Sequence, residues 1–171
     1  MIAPAKEILV IGLGLIGSSI AKAAKNKGLI VNGYDKNESS TKEALNKNII
    51  DASFETLDEI NDKELAKKVD IVIVAVSPKA TQKVISEIKN LWNTAITITD
   101  TSSVKNHLNF DSPTNIIFSH PIAGSDKSGI SGVDDQLFIN KKTIICKIGR
   151  AHVWTPVTDV SRMPSSAWKK K

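Results

Sequence analysis

The stretch EILVIGLGLIGSSIAKAAKNKGLIVNGYD, Glu7 to Asp35, decides the fold. It opens on a β-branched apolar run, turns through Gly12-x-Gly14-x-x-Gly17, continues through good helix formers and ends in a second apolar run. Glycines so placed have three separate jobs. Gly12 permits the tight turn, Gly14 lets the backbone approach a pyrophosphate, and Gly17 lets the helix pack closely on the strand. The helix that follows, with Leu15 and Ile16 in its first turn, presents free N–H groups and a positive dipole end to an anion. Beyond Gly17, at the end of the second strand, stands Asp35. A carboxylate there accepts hydrogen bonds from an adenosine ribose and repels a 2′-phosphate, which favours NAD over NADP. Lys36 beside it works against that preference.

Outward from this unit the same alternation continues. Apolar runs at Ile8 to Ile11, Leu29 to Val31, Val69 to Val76, Ala95 to Thr99, Ile116 to Phe118 and Thr143 to Cys146 read as strands. VDIVIVAV is β-branched and apolar almost throughout, as a parallel strand covered on both faces must be. Helices are predicted at Leu15 to Lys27, Ser40 to Asn46 and Pro78 to Trp92. The second is marked by a capping box, Ser40 with Glu43, and the third by Ser77 before a proline at the first helical position. The pattern predicts an α/β fold: a Rossmann-type, doubly wound, mainly parallel sheet over residues 1–146.

Composition sets the class. The chain has 171 residues, one domain's worth, and a formal charge of +5. Lys147, Arg150, Arg162, Lys169, Lys170 and Lys171 against Asp159 place all of that charge after Cys146. The body is neutral, which argues against nucleic acid or a membrane surface as partner. A single cysteine, Cys146, allows no intrachain disulfide. With no secretory pattern and no run of eighteen apolar residues, the sequence points to a soluble cytoplasmic protein.

Two later stretches, ITDTSSVKNHL and IIFSHPIAGSDKSG, concentrate the unusual polar residues, and each follows an apolar strand. In an open α/β sheet the ligand crevice lies at the carboxyl ends of the strands. Ser77, Asp100, Thr101, Ser102, Ser103, Lys105, Ser119 and His120 are therefore expected at the edge that carries the glycine turn. Among them His120 is the natural proton acceptor, because imidazole exchanges protons near neutral pH. From the residues alone, His120 before Pro121 also suits a structural strand end. Asp100 and the serines also suit turns and caps for a helix starting near Val104. His107 reads as a surface or packing residue of that helix.

The motifs GLGLIGSS, GYD, VSP, DTSSVK and SHPIAGSDKSG, in this order and spacing, resemble the prephenate and arogenate dehydrogenase family of tyrosine biosynthesis. The resemblance implies NAD-dependent oxidative decarboxylation of a small-molecule substrate, prephenate or arogenate, with His120 and Ser103 as catalytic residues. It implies cofactor contacts from Gly12, Gly14, Leu15, Ile16, Gly17, Asp35, Ser77 and Asp100, no metal, and a floor of the site built near Lys105 and Gly124-Ser125. Two positions depart from the family pattern: Ser102, where glycine is common, and Asp126, where glutamate is common. The first leaves Ser102 as a rival to Ser103. Other small-acid dehydrogenases and a non-catalytic dinucleotide-binding module remain as alternatives.

In that family a helical domain follows, supplying the dimer interface of a homodimer and basic residues for the substrate carboxylates. Nothing after Cys146 has an amphipathic period, so that domain is expected to be absent, with weak cofactor binding and little turnover. The segment 147–171 is expected to be an artefactual, disordered tail. IGRAHV-W-TPVT, through Trp154, and SRMPSSA-W-KKK, through Trp168, with Thr158, Asp159 and Val160 spanning the index, resemble a translated sequencing adapter in which TGA is read as tryptophan.

Overall fold

The computed structural model describes residues 5–60, 68–91, 94–105, 108, 110 and 115–146. Seven strands form one sheet: β1 (Glu7–Ile11), β2 (Ile30–Tyr34), β3 (Ala52–Ser53), β4 (Ile71–Val74), β5 (Thr97–Asp100), β6 (Ile116–Pro121) and β7 (Thr143–Cys146). Their order is β3-β2-β1-β4-β5-β6-β7. All pairs are parallel except β6 with β7. The helices are α1 (Leu15–Asn26), α2 (Glu38–Asn46), α3 (Leu57–Ile60) and α4 (Pro78–Glu87). The chain runs outward from β1 to β3 and then restarts at β4 on β1's other side. The strand order reverses between β1 and β4, the point at which an open α/β sheet characteristically forms its ligand crevice.

Alternation along β1 divides the core. Leu9 and Ile11 join a cluster with Val72, Val74, Ile85, Ile88 and Ile98, while Ile8 and Val10 join one with Ala21, Val31, Ala44 and Ile50 on the opposite face. Successive side chains point to opposite faces of a strand, so a strand covered on both sides must be apolar at every position. Leu9, Val10 and Ile11 have no exposed surface, and each such burial contributes roughly 1.5–3 kcal/mol.

The elements differ from the sequence reading at their ends. β2 runs to Tyr34 through Asn32 and Gly33, residues that look like strand breakers. The Asn32 side chain donates to Glu7 Oε1 at 2.7 Å, and a Cβ on Gly33 would lie 2.9 Å from Ile50 Cδ1, so both positions are fixed by packing. The expected Ser40–Glu43 capping box is corrected: α2 starts at Glu38, and Asn37 caps it by accepting from the Ser39 N–H at 3.1 Å. Asn37, three residues before Ser40, satisfies the first turn before Ser40 can. α4 ends at Glu87, and the chain continues as a single 3-10 turn, Lys89–Leu91. β3, two residues long, carries too little pattern to be read from sequence. Val104 and Lys105 are not helical. His107, Trp92 and the tail 147–171 lie outside the described residues.

Candidate active site

The glycine turn leaves β1 at Gly12, whose φ of 98° an L side chain rarely adopts. A Cβ there would also sit 2.7 Å from the Ala75 carbonyl oxygen. A Cβ on Gly17 would fall 1.9 Å from the Gly12 oxygen, so α1 can rest on the turn only without one. Gly14 is different: a Cβ there would meet nothing within 4 Å. It is the N-cap of α1, and no side chain caps the helix. The first-turn N–H groups of Leu15, Ile16 and Gly17 therefore lack intrahelical acceptors beside an open approach over Gly14. This arrangement fits an anionic pyrophosphate.

Asp35 follows β2 and braces the turn from the side. Its Oδ2 accepts from the Leu13 N–H at 2.7 Å and its Oδ1 from the Asn37 N–H at 2.8 Å. Each oxygen keeps a second lone pair for a hydroxyl donor. Ser77, exposed just beyond β4, is the N-cap of α4, yet its hydroxyl makes no cap hydrogen bond. Its carbonyl accepts instead, from Ala80 N and Thr81 N at 2.9 and 3.1 Å.

At the ends of β5 and β6 the polar residues separate into enclosed and open ones. Asp100 has no exposed surface. Its carboxylate accepts from Lys105 Nζ at 2.6 and 2.5 Å, from Ser102 N at 3.0 Å and from Ser119 N at 3.2 Å. Burial pushes its carboxyl above the usual carboxylate range, against the pull of Lys105. Burial likewise pushes the Lys105 ammonium down, against Asp100. Asp100 was expected to meet the cofactor; here its side chain is engaged within the protein.

The two candidate serines part in the same way. Ser102 is buried, and its hydroxyl donates to the Val104 carbonyl at 3.0 Å and faces the Val104 N–H at 3.3 Å. Ser103 is exposed, and its hydroxyl makes no hydrogen bond among the described residues. His120 is half-buried in β6, with Nδ1 3.1 Å from the Thr101 carbonyl oxygen. A carbonyl only accepts, so Nδ1 is the donor, and in the neutral imidazole this makes Nε2 the acceptor. No hydrogen bond joins His120 to Ser103.

The loop after His120 returns to α1. Asp134 N donates to Ser19 Oγ at 3.1 Å, and a Cβ on Gly132 would lie 3.1 Å from Leu15 Cδ1. Sequence reasoning missed this contact, because nothing local links the Ser19 hydroxyl to a backbone N–H 115 residues away, and missed the Thr101 carbonyl, because a backbone oxygen carries no residue-type signal. Among the described residues no three potential metal ligands cluster, and no helix is long and apolar enough to cross a membrane.

A six-strand parallel sheet in the order 3-2-1-4-5-6, an uncapped helix at a glycine turn and an acid after β2 define a dinucleotide-binding α/β domain. The chain belongs to the family described as prephenate dehydrogenase, nucleotide-binding domain, which it matches over residues 20–154. It is 35% identical over 145 residues to a prephenate dehydrogenase of Lactococcus lactis, covering 79% of this chain and 39% of that protein. It is 33% identical over 147 residues to a cyclohexadienyl dehydrogenase of Zymomonas mobilis, covering 82% and 48% respectively. The chain thus spans less than half of these relatives. The crystal structure of prephenate dehydrogenase from Aquifex aeolicus with hydroxyphenyl propionate and NAD+ superposes with a TM-score of 0.73 at 25% identity, over 85% of this chain and 52% of that one.

Proposed function

We propose that this chain is the NAD-binding half of an enzyme that oxidatively decarboxylates prephenate to 4-hydroxyphenylpyruvate in tyrosine biosynthesis. The observation that carries the proposal is His120. Its Nδ1 is occupied by the Thr101 carbonyl, so Nε2 can take a proton at the edge where the glycine turn opens.

The N–H groups of Leu15, Ile16 and Gly17 would hold the pyrophosphate, Asp35 would hold the adenosine ribose, and Ser77, at the N-cap of α4, would offer its hydroxyl to the cofactor. A bound nicotinamide supplies the hydride acceptor. His120 Nε2 accepts the hydrogen bond of the substrate's 4-hydroxyl and takes its proton as the C4–H bonding pair departs. The bond from C1 to the carboxylate then breaks, carbon dioxide leaves, and its bonding pair completes the aromatic ring. The proton returns to the phenol oxygen, so the substrate loses one hydride and one carbon dioxide. Ser103, the serine with a free hydroxyl, orients the 4-hydroxyl. Aromatisation drives the reaction, so the protein's contribution is placement and one proton. Asp100 acts from beneath, by fixing the strand ends.

NAD is preferred to NADP because the Asp35 carboxylate stands where a 2′-phosphate would lie. Arogenate, which gives tyrosine directly, has the same ring and 4-hydroxyl and is the second reading; the broader substrate name of the Zymomonas relative favours keeping it. The reading carries with it a cytoplasmic location and, for the complete enzyme, a homodimer. The test joins residues 1–146 to the C-terminal part of the Lactococcus relative and substitutes His120→Asn. NAD affinity should hold, and turnover of prephenate should fall by about 10² or more. Unchanged turnover would remove His120 from the chemistry.

A further inference from the structure

The histidine's contact with Thr101 lies just past the last pair of the β5–β6 ladder, Asp100 with Phe118. Thr101 is tied outward to β4, its N–H donating to the Val74 carbonyl at 3.1 Å, and His120 is paired outward with Ile144 of β7, but the β5–β6 ladder does not set the distance between the two on which the ring's orientation depends. A buried ion pair takes over there. Lys105 Nζ donates to Asp100 Oδ1 and Oδ2 at 2.6 and 2.5 Å and to the Ser119 carbonyl at 2.8 Å. Three acceptor contacts match the three protons of an ammonium. Each partner stands one position before a residue of the contact: Thr101 follows Asp100, and His120 follows Ser119. Ser119 ties the same two strands again, donating from its N–H to Asp100 Oδ1 at 3.2 Å and from Oγ to the Asp100 carbonyl at 2.7 Å.

We propose that Lys105 is a positioning residue: by clamping Asp100 to Ser119 it holds the Thr101 carbonyl against His120 Nδ1 and keeps Nε2 as the bare nitrogen. The ring makes no other hydrogen bond among the described residues. A contact of 3.1 Å is lost as the separation passes about 3.5 Å. Without the ammonium, the Asp100 carboxylate is left buried with only N–H donors, and the strand ends relax to hydrate it. The ring is then free to carry its proton on either nitrogen. The proposal rests on the reading of His120 as proton acceptor, yet it concerns a tautomer that can be observed without turnover.

The test uses the 171-residue chain with nitrogen-15 in its histidine rings, at a pH where imidazole is neutral. His120→Asn identifies the signals among the three histidines. The unaltered chain should show one protonated and one bare ring nitrogen at His120, with the proton on Nδ1. In Lys105→Met the two signals should move toward each other as the tautomers mix, while NAD affinity stays within about twofold. A folded Lys105→Met chain with the original pattern would overturn the proposal, as would a proton on Nε2 in the unaltered chain. If Lys105→Met does not fold, Lys105→Met with Asp100→Asn removes the stranded carboxylate and should show the same mixing. Failure of both to fold would make the pair a folding element and reject the positioning role. Mixed tautomers with undiminished turnover in the joined enzyme would uphold the clamp and refute the reading of His120.

Discussion

Gly14 and Gly17 belong to one motif, and the structure predicts opposite consequences for giving each a methyl group. In Gly17→Ala the new Cβ would lie 1.9 Å from the Gly12 carbonyl oxygen and 3.1 Å from Ala75 Cβ. The first neighbour is backbone in a turn already at φ 98°, so α1 itself must move. Overpacking of this kind costs about 3 kcal/mol, which for a chain of this size lowers the melting temperature by roughly 6–12 °C. In Gly14→Ala the Cβ meets nothing within 4 Å, and φ is −75°. Alanine is a poorer N-cap than glycine by about 0.5–1 kcal/mol. It also reduces the freedom of the unfolded chain by about 0.4–1 kcal/mol. The two terms nearly cancel, and melting should shift by about 2 °C or less. The methyl group nevertheless occupies the approach to the helix N-terminus, so NAD affinity should fall about tenfold or more, or 1.4 kcal/mol. Thermal melts followed by circular dichroism, with calorimetric NAD titrations, read both quantities. If Gly14→Ala melts as low as Gly17→Ala, or binds NAD as the unaltered chain does, the assignment of separate jobs to the two glycines is wrong.

The serine pair gives a second contrast. Ser102→Ala removes both contacts to Val104 and should cost about 1 kcal/mol, whereas Ser103→Ala should leave melting unchanged and lower turnover in the joined enzyme. Asp35→Asn keeps one acceptor oxygen for two backbone N–H donors, so NAD affinity should drop about tenfold and the NAD to NADP preference should narrow. Acid stability has a defined sign at Asp51. The Lys25 hydrogen bond first, and the Val31 N–H second, hold its carboxyl below the usual range. Such a group contributes stability that is present above the unfolded value of about 3.9 and is lost as pH falls through the folded value. In urea melts from pH 3 to 7, Asp51→Asn should therefore be less stable near neutrality, and the gap should close below about pH 4. A gap that widens in acid would reverse the assignment.

What could be read from the sequence was what residue type determines. The glycine spacing located the turn because only residues without a Cβ fit Gly12 and Gly17, and the apolar runs located β1 and β4 because both of their faces are covered. The ends of elements were less legible where a side chain had tertiary work, as with Asn32, Gly33 and Asn37. The site residues were legible as a set gathered at one sheet edge, but not their division of labour. Nothing in TSSV distinguishes the serine that ties the turn from the one that is free. Lys105 and Asp100, five positions apart, read as members of that set, but nothing in the sequence joins them to each other until β6 brings Ser119 beside them. The Thr101 carbonyl carries no sequence signal at all.

The proposed function requires one crevice that holds a dinucleotide between the glycine turn and His120. Titrating NAD into the nitrogen-15-labelled chain tests it at both ends together. The backbone amides of Gly14, Leu15, Ile16 and Gly17 and the His120 ring should shift along one saturable curve. Shifts at the glycine turn without the histidine, or none at either, would contradict it.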